Sequence, residues 1–269
     1  MTYASIMVAV DLTEGARSRV RLAGHLADDF RAGLIGVAAE MPDYSWTPAG
    51  PTPGGAFGLS SIQEAVLNDL RVAHEAFEEA VGGRSRVEWR SNLDFPLAFL
   101  VAQAAAADLV IVGRETDPGP ALIAVDPADA TMQLGRPVLV VPPGVDHLDA
   151  KRVVVGWKNT REARRAVRDA LPFLKRASEV LVVSVDDGAG SEGQDTLRLL
   201  QAHDVSAIRV RRDAEGVSAA QALVEAAAEH GADLIVTGAY GHGRLREWAF
   251  GGVTRDLLSY APVCCLMSH

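Results

Sequence analysis

At 269 residues, 48% apolar and 23% charged, the chain can bury one large or two small cores and is not globally disordered. Its formal net charge of −9 leaves no basic excess to neutralise phosphates, which excludes a general nucleic-acid binder. No apolar run approaches the roughly 18–20 residues of a membrane span, and the segment before the first strand has no basic n-region, so a cytoplasmic chain without a membrane partner is expected.

Short β-branched runs without alternation recur along the chain, as in strands covered on both faces. In chain order they predict strands at Ile6–Val10, Leu34–Ala38, Arg86–Arg90, Leu109–Val112 and Val138–Val141. A second series follows at Arg152–Gly156, Val180–Val185, Ala207–Val210, Leu234–Thr237 and Val263–Met267. The segments between are rich in Ala, Arg, Glu and Leu. In one of them Ala163, Ala166, Val167, Ala170, Leu171 and Leu174 fall on one helical face, and Arg161, Arg164, Arg165 and Arg168 read as its solvent face.

The two series are copies. Ala107-Asp-Leu-Val-Ile-Val-Gly113 matches Ala232-Asp-Leu-Ile-Val-Thr-Gly238, and Arg136-Pro-Val-Leu-Val-Val141 matches Ala261-Pro-Val-Cys-Cys-Leu266, both at an offset of 125. Near the starts, Ala16-Arg17 and Val20 match Ala163-Arg164 and Val167 at an offset of 147, so the first copy carries about 22 extra residues. The Pro/Gly/aromatic stretch from Pro42 to Gly58 predicts that they form a long loop absent from the second copy. Alternating strands and helices imply parallel sheets with right-handed crossovers, hence two tandem doubly wound α/β domains over 1–143 and 151–269, divided at Pro142-Pro-Gly. Adjacent Cys264 and Cys265 point to opposite faces of a strand and are expected to be buried and unbridged.

Chemistry concentrates after the ninth predicted strand. Gly238, two residues, Gly241, nine residues and Gly251 bracket a strand end and a helix start, where bare backbone N–H groups and a helix N-terminus favour phosphate. At the offset of 125 the first copy instead carries Gly113, Thr116, Pro118, Asp126, Pro127 and Asp129. Two carboxylates and a proline without an N–H there predict loss of triphosphate binding, with Arg114 a partial offset. Asp126-Pro127 reads as a helix start with Asp at the N-cap, in preference to a metal site. No histidine shows metal spacing, and no nucleophile elbow, Walker loop or Cys/His pair marks an enzyme.

The tandem copies, the opening Val8-Ala-Val-Asp11 and Gly238-x2-Gly241-x9-Gly251 with Val253-Thr254 resemble a tandem universal stress protein over essentially the whole chain. The resemblance implies five-stranded domains of the adenine-nucleotide α-hydrolase kind with strand order 3-2-1-4-5. It further implies a stress-response module that binds ATP or a related adenine nucleotide, alone or with Mg, with at most slow hydrolysis. Carried over by position, the resemblance puts the phosphates near Gly238, Gly241, Gly251, Gly252 and Thr254 and the adenine around Trp157 and Val185, with His242, Gly243, Val253 and Lys158 counted in the same nucleotide site. Two positions depart from the pattern: Gly252 stands where the family has a hydroxyl or amide side chain, and Lys158 aligns with Asp11. Trp157 either stacks on the adenine or fills its place, Lys158 either draws phosphate or is solvated, and His242 is either a phosphate contact or a solvated loop residue. The apolar last strands can pair within the chain as a pseudo-dimer or between chains as a homodimer. The alternative function is a dimeric interaction protein without nucleotide.

Overall fold

The structure, a computed structural model, describes residues 2–42, 53–114, 123–185, 193–213, 216–240 and 252–269, with the backbone path alone for 53–59. The first half runs β1 (Ser5–Ala9), α1 (Ala16–Phe30), β2 (Gly33–Ala39), α2 (Pro53–Val81), β3 (Val87–Asn92), α3 (Pro96–Gln103), β4 (Leu109–Gly113), α4 (Pro127–Gln133) and β5 (Val138–Val141). The second runs β6 (Arg152–Gly156), α5 (Arg161–Asp169), the single turn α6 (Leu171–Leu174), β7 (Glu179–Val185), α7 (Gln194–Ala202), β8 (Ile208–Arg212), α8 (Ala219–His230), β9 (Leu234–Gly238), α9 (Gly252–Tyr260) and β10 (Cys264–Ser268). All ten strands fall where the β-branched runs placed them.

The strands form one ten-stranded sheet, in the order β3-β2-β1-β4-β5-β10-β9-β6-β7-β8. Each half has the 3-2-1-4-5 order with parallel neighbours. The halves meet through one antiparallel pair, in which Cys265, Leu266 and Met267 face Val140, Leu139 and Val138. The last strands therefore pair inside the chain, and their apolar edges are closed without a second copy. Around this seam Tyr3, Phe30 and Phe173 stack edge to face, with centroids 5.1–5.6 Å apart, and the Tyr3 hydroxyl donates to the Asp169 carbonyl at 2.6 Å.

Alternation along each strand divides the core into two layers. Val153, Val155 and Trp157 face α5, α6 and α7, in one layer with the residues beneath α1 and α2. Val154, Val183 and Ile235 face α8 and α9, in the layer that also backs α3 and α4. Cys264 lies in the first layer and Cys265 in the second; both are free, and burial pushes both thiols well above their ordinary pKa.

One prediction needs correction. The extra residues of the first half are not all loop: α2 begins at Pro53 and runs for 29 residues, against 9 in its counterpart α7. Pro53 stands at the first helical position, where proline lacks no useful N–H, and the glycines after it are carried by a helix whose later turns bury Val66, Leu70, Ala73 and Phe77. Residues 43–52 of the expected loop lie outside the described residues.

Candidate functional site at the carboxyl edge of the second half

In an open α/β sheet the ligand crevice lies beyond the carboxyl ends of the strands where the order reverses. In the second half that is the edge formed by Gly156, Val185 and Gly238. Gly238 is fixed by packing: a Cβ there would lie 2.4 Å from the Ala163 amide nitrogen and 2.8 Å from Glu162 Cβ, so only glycine lets α5 start against the end of β9. Glu162 is 2% exposed, and its pairing with Arg161 holds its pKa below the usual value despite the opposing effect of burial.

Beyond Gly238 the chain turns sharply at Tyr240, whose φ of 55° is left-handed. The Tyr240 N–H donates to the buried Thr254 hydroxyl at 3.3 Å, which ties the exit of β9 to the first turn of α9. The strand end and helix start that bracket 241–251 are thereby held together. Gly241, His242, Gly243 and Gly251 lie outside the described residues. Gly252 and Val253 are half-buried at the start of α9. A Cβ on Gly252 would meet Asp256 Oδ2 at 2.7 Å, so the space left by the missing side chain is filled by a carboxylate from four residues on.

The two residues expected around the adenine are not brought together. Trp157 is 8% exposed and packed in the α5/α7 layer, whereas Val185 is half-buried in the opposite layer with Tyr240 and Val253. Trp157 is a core residue and offers no open stacking face on the Val185 side. Lys158 is exposed, and Val185 lies with Tyr240 and Val253 on the α9 side of the edge, whereas Gly238 faces α5.

The equivalent edge of the first half is closed. Asp11 is buried in a 2.5 Å ion pair with Arg19, whose Nε also donates to the Ala9 carbonyl, and it further accepts from the Thr13 amide at 3.1 Å. Asp126 caps α4, accepting from the amides of Ala128 at 2.7 Å and Asp129 at 3.3 Å. The N-terminal N–H groups that would greet a phosphate already have a carboxylate. Arg114 is half-buried, and its burial pulls its pKa down. Asp108 and Asp233, which occupy equivalent positions, accept from the amides that enter β1 and β6 and are clamps for strand entry. Among the described residues no cluster of three or more His, Cys, Asp or Glu side chains is placed to hold a metal ion. Among them, too, no helix is long and apolar enough to cross a membrane.

The universal stress protein family model matches residues 189–269, the segment that carries α7 to β10. This last third of the chain is similar to the universal stress protein family. The fold of the whole chain is similar to that of a universal stress protein from Archaeoglobus fulgidus, with a TM-score of 0.65 at 16% identity over 98% of this chain and 95% of that one. A putative universal stress protein from Pseudomonas aeruginosa aligns over 98% of this chain and 93% of its own at 16% identity, with a TM-score of 0.55. A universal stress protein solved in complex with cAMP aligns over 52% of this chain and 98% of its own at 26% identity, with a TM-score of 0.37. No curated protein sequence matches the chain. The universal stress protein fold thus occurs twice in this chain, once with its carboxyl edge closed by side chains.

Proposed function

We propose that the chain is a cytoplasmic stress-response module that binds an adenine nucleotide, ATP or a relative, alone or with Mg, through its second half only. The observation that carries this reading is the contrast between the two helix starts. In the first half Asp126 occupies the amides of α4, while in the second the exit of β9 is tied by Tyr240 and Thr254 to an α9 that begins with glycine. What favours a phosphate chain there is the start of α9 at Gly252, since a helix N-terminus adds roughly half a positive charge. The adenine would lie over Val185, and Lys158 is free to draw phosphate as a mobile point charge. Asp256 opposes the phosphates and holds the affinity down. Among the described residues none is placed for catalysis, and at most slow hydrolysis is proposed.

Thermal unfolding with and without Mg-ATP, on the natural chain and on Gly241→Asp, tests the proposal. At about 100 times its dissociation constant a ligand stabilises the native state by about 2.7 kcal/mol, which raises Tm by several degrees. The natural chain is expected to show that rise and the variant to lose it. No rise at millimolar Mg-ATP in a folded chain would overturn the proposal and leave an interaction protein without nucleotide.

A further inference from the structure

On the face of the sheet opposite Val185, a cleft of about 370 Å³ opens between α5 and α7, with Trp157, Arg164, Val167, Gly193, Thr196 and Leu199 in its walls. Two observations there concern polar groups and point to one ligand chemistry. The Trp157 indole Nε1–H is buried without an acceptor. A buried donor left unpaired is costly, and such a cost calls for an acceptor that arrives from elsewhere.

Secondly, this indole edge is turned toward the start of α7. A Cβ placed on Gly193 would sit 3.4 Å from Trp157 Cδ1, 3.6 Å from its Nε1 and 3.5 Å from Arg209 Nε. Gly193 has a φ of 92°, and it gives the nine-residue α7 no side-chain cap. A helix start, an indole N–H and a guanidinium therefore converge on a position where no side chain projects. Arg209 reaches this face because it pairs in register with Val182, which lies in the same layer as Trp157.

Among the described residues that line the cleft the one carboxylate is Asp195, whose side chain is 96% exposed and paired with Arg198 at 3.0 Å. Val167 and Leu199 give the cleft an apolar wall, and its volume exceeds what a bare phosphate fills.

We infer that the cleft between α5 and α7 is a second binding site, for a small organic phosphate monoester whose phosphoryl group accepts from Trp157 and the start of α7 while its apolar part lies against Val167 and Leu199. The site stands apart from the proposed nucleotide crevice. It uses α7 and the other layer of the core, and none of Gly238 to Thr254 contributes to it.

Phenyl phosphate is the probe, followed through the Trp157 indole N–H resonance in ¹⁵N-labelled protein and compared with inorganic phosphate and with phenol. The indole signal is expected to move saturably with phenyl phosphate, with weaker binding of phosphate and weaker still of phenol. Arg209→Gln, on a half-exposed edge-strand position, is expected to weaken phenyl phosphate about tenfold or more while the chain stays folded. Gly241→Asp is expected to leave this response intact while removing any response to Mg-ATP, so the two proposals fail independently. A linear, unsaturable shift, a shift indifferent to Arg209→Gln, or equal binding of phenol would overturn the inference.

Discussion

A single missing side chain decides what stands beside the start of α9. Gly252 departs from the family pattern in the sequence, and the readable consequence was one lost donor. What fills its place was not readable, because Asp256 returns to it over one turn of helix and no spacing rule marks that contact as a ligand competitor. A carboxylate within a few ångströms of a phosphate opposes it by on the order of 1 kcal/mol or more, depending on exposure. Asp256→Asn is therefore expected to tighten Mg-ATP several-fold, read by calorimetric titration, with a smaller gain at high salt. Trp157 shows the same limit. Its type and position were legible, but its side of the sheet follows from strand alternation beyond Gly156, and that separates it from Val185.

Among the elements, strands were read better than helix starts. A doubly covered strand announces itself by a short β-branched run, and all ten did so. A helix that begins with Pro-Gly-Gly carries the composition of a loop, and its later apolar face over Val66 to Val81 is what the local reading of α2 missed. Gly238 was read as a phosphate cradle, and the structure gives it a packing duty first: it is the only residue that lets α5 abut β9. Gly238→Ala must push a methyl into backbone, a form of overpacking that costs about 1–3 kcal/mol or more. Its denaturation midpoint is expected to fall accordingly, with or without nucleotide. Loss of nucleotide binding at undiminished stability would show that packing is not what requires glycine there.

For the whole molecule, the sequence established two copies but left open whether their last strands meet within or between chains. Strand edges carry no partner label, and the register of Leu139 against Leu266 emerges only in three dimensions. The seam also holds a titrating group. Burial raises the Asp169 carboxyl above its ordinary value of 3.8, opposed by the hydrogen bond from Ser268. The folded chain thus holds this proton more tightly than the unfolded chain, so stability is lost as pH rises through the ordinary and then the raised pKa. Asp169→Asn, which keeps an acceptor for Ser268, is expected to raise Tm at pH 7 and to lose that advantage below about pH 3.8. A variant less stable than the natural chain at both pH values would refute this sign.

The β5–β10 pair has a consequence for how the two copies can change. Separate subunits joined by such a pair come apart on dilution, and each must stay sound on its own account. A covalent link fixes the effective concentration of one copy beside the other whatever the amount of protein. The first half then needs only to keep an edge strand and a core, and Asp126, Pro127 and the Asp11–Arg19 pair can occupy its crevice without loosening its hold on the second half.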